Sequence, residues 1–334
     1  MKPWGFVFVM IFCLPAAYSQ QKVDFFLIDR KAQLLDAPTP DSLAKLINLQ
    51  FATPLERVRA IYSWIASHID YNTTIYRPWA AKYEYSPDPL DTADVWPSGD
   101  EMAARKVMRK RLAVCDGYAR LFKVLCDYAG IEAQVVQGYA RGVGSSRFRT
   151  NHTWNTVKID SAWQLVDVTW ASGYMNYRDE YVQQQNDYYF FTPPDLFIRD
   201  HFPEELRWTL LPQPPQMAEF KRAPFLTKNF HRYGFENFSA ASGVIEASAG
   251  DTLQITLQLK DMQRAKSTGN DPFNDTANFT AWPLSTFLKP AEEKKNSVVY
   301  RYVVQPSAEW LHLLFNNDVV LQYRVEVRGL RNED

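Results

Sequence analysis

Apolar positions recur with helical spacing in the first half of the chain and alternate with polar ones in the second. Leu43, Leu46 and Ile47 form the apolar face of a short helix over residues 40–48. Thr53-Pro54-Leu55-Glu56 offers a capping Thr, a Pro suited to the first helical position and a Glu able to close a capping box. Val58, Ile61, Tyr62, Ile65 and Ile69 then follow at helical intervals. Ser98-Gly99-Asp100-Glu101 repeats the start signal and predicts a helix to about residue 109. Another helix is predicted from Cys115 to the breaker Gly130. Tyr118, Ala119, Leu121, Phe122, Leu125 and Tyr128 make it apolar over much of its circumference, which predicts a central, buried position. Residues 72–97, with Pro78, Pro87, Pro89 and Pro97 among many aromatics, read as a long loop with an ordered rim.

Strand patterns take over at residues 131–139, 152–159 and 163–170, with a flexible loop at 142–146 and Asp160-Ser161 as a hairpin turn. Helices followed by an antiparallel sheet define an α+β unit over residues 20–211. It ends before Pro212-Gln213-Pro214-Pro215-Gln216, part of a proline-rich linker at 212–224. Residues 225–334 carry short alternating segments at 253–259, 297–304 and 319–327. Turn clusters such as Gly269-Asn270-Asp271-Pro272 separate them, which predicts a small all-β sandwich of the immunoglobulin type.

The first 19 residues stand apart. Lys2, the apolar run from Trp4 to Leu14 and the small residues of Ala17-Tyr18-Ser19 predict a secretory signal peptide cut before Gln20, and so a secreted or periplasmic protein. Cys13 follows Phe12, where a lipoprotein signal would want a small residue, so no lipid anchor is expected. No later segment is apolar for long enough to cross a membrane. A hydrophobic fraction of 46% and a net charge of −1 exclude disorder and give no general attraction to nucleic acid. Nothing calls for a cofactor or a metal: there is no Cys/His cluster and no EF-hand loop, and Asp271, Asn274 and Asp275 read as turn residues.

After processing, Cys115 and Cys126 remain. A pair in an oxidising compartment defaults to a disulfide, yet on one helix their α-carbons stand roughly 16 Å apart, beyond the roughly 7 Å limit of a bridge. Cys126, mid-helix, reads as buried filler. Cys115 begins its helix, where the dipole and the unpaired N–H groups favour a thiolate and can receive an oxyanion. Gly117 and Ala119 let other backbone approach. The alternative for Cys115 is a small buried hydrophobe. The hairpin supplies a candidate base: with a two-residue turn, Ile159 faces Ala162, His152 comes opposite Thr169, and Asp167 is its diagonal neighbour. A three-residue turn would send Asp167 to the other face. Asp167 interrupts Leu165-Val166-Asp167-Val168, so it is either partnered or turned to solvent. Cys115, His152 and Asp167 together have the composition of a catalytic triad.

The strings Val114-Cys115-Asp116-Gly117-Tyr118-Ala119, His152-Thr153-Trp154-Asn155 and Val166-Asp167-Val168-Thr169-Trp170 resemble the three motifs of the transglutaminase-like superfamily, a branch of the papain-like cysteine enzymes. Phe191-Thr192-Pro193-Pro194, His201-Phe202-Pro203-Glu204 and the helix through Arg57-Val58-Arg59-Ala60-Ile61 resemble, within it, the kyphoscoliosis peptidase group and its secreted bacterial relatives. The resemblance covers about residues 50–211. It implies a papain-like core, with Cys115 as nucleophile, His152 as general base and then acid, and Asp167 as the orienting carboxylate. The implied reaction is acyl transfer through a thioester, from protein or peptide amides to water in a peptidase or to an amine in a transglutaminase. Trp154, Trp170 and the aromatics of residues 72–97 are either groove walls or core. His201 is read as structural, and His68, His231 and His312 have no assigned partner. A second reading keeps the same domain as a catalytically silent interaction or scaffold module. In either, the C-terminal domain offers a docking surface for a protein partner.

Overall fold

Strong local capping sets the first helices. In a computed structural model, the described residues are 23–73, 98–141, 151–175, 180–270 and 285–328. The expected leader with Cys13, most of the aromatic loop at 72–97, the loop at 142–146 and the turn residues Asp271, Asn274 and Asp275 lie outside them. Helices α1 (Phe25–Ala32), α2 (Pro40–Gln50) and α3 (Pro54–His68) come first. The Thr53 side chain accepts the Glu56 N–H and Glu56 answers at the Thr53 N–H, so the capping box forms as the sequence predicts. Strand β1 (Asp70–Tyr71) pairs in parallel with β2 (Leu112–Ala113), which follows α4 (Gly99–Lys110). That pairing leads directly into α5 (Cys115–Tyr128), closed by Gly130 at φ 74°.

A four-stranded antiparallel sheet stands against α5, in the order β5 (Ala162–Val166), β4 (His152–Ile159), β3 (Ala133–Ala140), β8 (His201–Pro203). Asp160 and Ser161 both adopt positive φ, the signature of a two-residue turn of the I′ type, and Ile159 does pair with Ala162. The third strand is shorter than the β-branched run suggests. It stops at Val166, and Asp167 becomes the N-cap of α6 (Val168–Ser172), its side chain accepting the Trp170 N–H. Capping by a short carboxylate outweighs the strand propensity of Val-Asp-Val-Thr-Trp. His152 consequently has no partner on β5 and pairs with Gly138 of β3.

Gly138 is needed there. A Cβ would press on the Phe202 carbonyl and on Pro203 of β8 and lie 2.5 Å from the Trp154 ring, so glycine lets β8 close against the sheet. The hairpin β6 (Gly173–Met175) and β7 (Tyr181–Gln183) follows α6, and the short helix α7 (Pro194–Phe197) precedes β8. The apolar core of this half includes Ile61, Trp64, Tyr118, Phe122, Val157 and Leu165. Arg59 is buried at its edge, paired with Asp29 of α1 and with Asp187.

Beyond α8 (Met217–Arg222) the chain is mostly strand. Strands β10 (Phe235–Phe238), β12 (Thr252–Leu259), β15 (Ser297–Val303) and β14 (Glu292–Lys294) make one antiparallel sheet in that order. The other joins β11 (Val244–Ser248), β17 (Asp318–Arg328), β16 (Trp310–Phe315) and β13 (Ser285–Leu288), with β9 (Phe225–Leu226) also on β17. There β11 with β17 and β13 with β16 run parallel. Helices α9 (Lys228–Arg232) and α10 (Met262–Ser267) fill connections. Leu257, Val298 and Tyr300 from one sheet share a core with Leu311, Leu321 and Tyr323 from the other, an arrangement compatible with a β-sandwich.

Candidate active site

Each candidate residue begins or caps an element. Cys115 is the first residue of α5, His152 the first of β4, and Asp167 the N-cap of α6. Asn155 ties two of these elements together: its Nδ2 donates to the Ala119 carbonyl of α5 at 3.0 Å and to the Gln134 carbonyl of β3 at 3.1 Å. Gly117 permits the close packing below Cys115, since a Cβ there would lie 2.8 Å from the Ala113 Cβ and 2.9 Å from Val107.

His152 and Asp167 are buried, and the His152 Nε2 stands 2.6 Å from the Asp167 Oδ2. A buried ionised carboxylate only accepts, so that nitrogen carries the proton and Nδ1 is left for the thiol. Cys115 is half-buried, and His152 is the side chain that most favours its thiolate. Burial opposes its thiolate, but the His152 hydrogen bond and charge, together with the Thr153 N–H, bring its pKa below that of a free thiol. Burial likewise opposes a charge on His152. Asp167 and the thiolate outweigh it and raise the imidazole to about 10. The Asp167 carboxyl, despite burial, is held well below the ordinary carboxylate range by His152 and His201. These shifts favour charge on all three groups, the thiol and the carboxyl as anions and the imidazole between them as a cation. Asp116, next to the thiol, is paired with Arg120 at 2.8 Å, and Arg120 also pairs with Asp100. No side chain caps the α5 N-terminus, which leaves its first-turn N–H groups without a side-chain acceptor.

His201 joins this group, which residue patterning did not reveal. Its Nε2 lies 2.9 Å from the same Asp167 Oδ2, and its Nδ1 lies 2.6 Å from Asp200 Oδ1. The available signal was the Asp200-His201 dyad immediately before Phe202-Pro203. Trp154 stacks on His152 with ring centres 6.1 Å apart and is only 1% exposed, so it belongs to the core rather than to a groove wall. Trp170 contacts both imidazoles and also lines an adjacent cleft of about 310 Å³ with Tyr71, Tyr174, Tyr181 and Tyr189. The other histidines lie elsewhere: His68 stacks on Trp64, His231 meets Arg199, and His312 meets Ser285. His152, Asp167 and His201 bring three ligand-type atoms within 4.8 Å of one another. Their 2.6 and 2.9 Å separations through Oδ2 are those of N–H···O bonds, and a zinc ion would need each atom at about 2.0–2.2 Å from a common centre. Among the described residues, no helix is long and apolar enough to cross a membrane.

A helix-borne cysteine packed against a hairpin histidine and its carboxylate, on an antiparallel sheet, is the arrangement of the papain-like thiol enzymes. Residues 41–168 match the Transglutaminase-like superfamily, and this part of the chain is a domain of that superfamily. Kyphoscoliosis peptidase of Homo sapiens is 32% identical over 216 residues, which are 63% of this chain and 30% of that protein. Hillarin of Drosophila melanogaster is 31% identical over 170 residues, covering 44% of this chain and 20% of its own length. The chain thus spans less than a third of either curated relative. A crystal structure of a TGase is similar over 46% of this chain and 35% of its own, with 16% identity and a TM-score of 0.27. The fold and the buried His-Asp-His group fit cysteine-protease or transglutaminase-like chemistry.

Proposed function

We propose that the protein is a thiol acyl-transfer enzyme acting on protein or peptide amides, with Cys115 as nucleophile, His152 as acid and base, and Asp167 as the orienting carboxylate. The observation that carries this reading is the His152–Asp167 bond of 2.6 Å, made through Nε2 so that Nδ1 serves the thiol at the start of α5. The Cys115 thiolate adds to the amide carbonyl, and the first-turn N–H groups of α5 hold the oxyanion. The His152 Nδ1–H then protonates the departing amine, leaving a thioester and a neutral imidazole. That imidazole removes a proton from water or from an acceptor amine as it attacks, which releases the acyl group and restores the thiol pair. Hydrolysis and amine transfer share every step but the identity of the acceptor. The aromatic cleft beside Trp170 is suited to an apolar part of the acyl donor.

Trapping the thioester with a labelled primary amine tests the reading. Wild type should consume the amine into peptide product, and Cys115→Ala should not. A Cys115 thiol that reacts with iodoacetamide no faster than free cysteine at neutral pH, with no amine incorporation, overturns it. We further propose that the first 19 residues direct export, so that the enzyme works outside the cytoplasm, and that residues 225–334 dock a substrate or partner. N-terminal sequencing of the exported protein should begin at Gln20.

A further inference from the structure

We propose that His201, backed by Asp200, is a positioning residue that fixes the Asp167 carboxylate and through it aims His152 at Cys115. This rests on the acyl-transfer reading above and extends it by one residue pair. Asp167 accepts three hydrogen bonds: the Trp170 N–H at Oδ1, 3.0 Å, and the two Nε2 atoms of His152 and His201 at Oδ2, 2.6 and 2.9 Å. Without His201, the Trp170 contact alone would leave the carboxylate free to turn about its Cβ–Cγ bond, and Oδ2 would be steadied only by the ring it is meant to orient. With His201, Oδ2 is clamped between two imidazoles whose centres are 5.3 Å apart.

Asp200 decides where the His201 protons sit. The carboxylate of Asp167 can only accept, so the His201 Nε2 must carry a hydrogen. Asp200 Oδ1 at 2.6 Å takes the Nδ1–H, and Tyr189 donates to Asp200 Oδ2 at 3.3 Å. The His201 ring is thus a buried cation between two carboxylates. A structural role would not require this: the ring already stacks on Phe197 with centres 4.2 Å apart, and an apolar residue would fill that space without charges to desolvate. Trp154 and Trp170 pack against both imidazoles, so water is poorly placed to replace the lost donor.

The test measures iodoacetamide alkylation at Cys115, located by peptide mass spectrometry, against pH in the full chain. His201→Phe keeps the ring and removes the donor. His201→Gln returns an amide N–H near the Nε2 position while giving up the charge. In wild type the rate should begin to rise well below the pH of a free thiol. His201→Phe should move that rise upward by about one pH unit and lower the plateau by about tenfold, the order lost when an orienting partner is removed. His201→Gln should lie close to wild type. If His201→Phe does not fold, as read by circular dichroism, His201→Asn replaces it: its shorter amide reaches Asp200 but not Asp167, and the same displacement is expected. A perturbed wild-type profile that these variants leave in place overturns this inference alone, as does a His201→Gln profile displaced as far as that of His201→Phe. A wild-type profile equal to that of free cysteine overturns the acyl-transfer reading and this inference with it.

Discussion

Replacing Asp167 by Asn separates what the carboxylate does for stability from what it does for the reaction. The amide oxygen can keep the Trp170 N–H, now bonded at 3.0 Å. The amide nitrogen then faces the two Nε2 atoms, which lie 2.6 and 2.9 Å from Oδ2, and being a donor it forces both rings to present a lone pair. Two charge-assisted bonds become two neutral ones. At about 1.5–3 kcal/mol for the former and about 0.5–1.5 for the latter, the loss is about 2–3 kcal/mol. For a unit of this size that lowers the unfolding midpoint by about 5–10 °C. The chemical effect is far larger. His152 would then carry its proton on Nδ1, toward the thiol, and could not take one up from it; the same tautomer error in a serine protease triad costs about four orders of magnitude. Amine incorporation should therefore fall by about 10³–10⁴ in a protein that still unfolds cooperatively. A folded Asp167→Asn variant within a few-fold of wild-type activity would refute the tautomer argument.

The same variant carries a pH signature. The Asp167 carboxyl is depressed in the folded state, so its contribution is present above the unfolded value of about 3.9 and is lost as pH falls. His152 is raised to about 10, so its contribution is complete below about pH 6.5 and is lost as pH climbs toward 10. The thiol acts with opposite sign, because its folded pKa is lowered. Cys115→Ala therefore exposes the imidazole effect: its unfolding midpoint should decline from about pH 6.5 upward. Adding Asp167→Asn should flatten that decline. An equally steep decline in the double variant would show that Asp167 is not its source.

Elsewhere the structure sets three more expectations. Gly138→Ala should cost about 1–3 kcal/mol in chemical denaturation, because the new methyl meets Phe202 and Pro203 backbone and the Trp154 ring; an unchanged midpoint would mean that β8 yields freely. Arg59→Leu should cost about 3–5 kcal/mol, since it strands Asp29, now 2.7 and 2.5 Å from the guanidinium, and removes a cation seated over Phe25 and Phe190. Arg141 donates to the carbonyls of Lys221, Ala223 and Pro224 and lies over the Phe220 ring. Arg141→Ala should release that segment and speed tryptic cleavage after Lys221 and Arg222, with unchanged cleavage counting against the clamp.

Local signals were legible and non-local ones were not. The Thr53–Glu56 cap, the Gly130 stop, the Asp160-Ser161 turn and the pairing of Ile159 with Ala162 are each specified within a few residues of sequence, and each forms. The end of β5 departs from the predicted strand because two local preferences compete at Asp167. The β-branched neighbours favour a strand, and the carboxylate favours a cap. A partner outside the segment decides between them: the Asp167 N–H bonds the Tyr189 carbonyl, which turns the chain out of the sheet. Asp167 still meets His152, through the cap rather than across the hairpin. His201, read as structural from its string, shows its contact with Asp167 only in the fold, for the same reason. Its bond to Asp167 spans 34 residues and depends on a three-residue edge strand that no periodicity announces.

What distinguishes the two thiols of the described chain is position within one helix. Cys115 and Cys126 share α5, and both are opposed by burial as thiolates. At Cys126 the charges of Asp127 and Lys123 leave that penalty standing and the thiol is pushed far up. At Cys115 the penalty is overcome, because the strand start beside it offers the Thr153 N–H and an imidazole already held by a carboxylate. His152, Asp167 and His201 also lie at element boundaries, where one flank is fixed by regular hydrogen bonding and the other leaves the side chain room to meet a residue from another element. Desolvating such charges costs several kcal/mol per ion. The fold offsets that cost by setting each carboxylate against an imidazole, Asp167 between His152 and His201 and Asp200 beyond His201, in a series that begins at Cys115. Removing an inner member of that series should therefore harm the site more than removing Asp200 at its end, where only His201 and Tyr189 lose a partner.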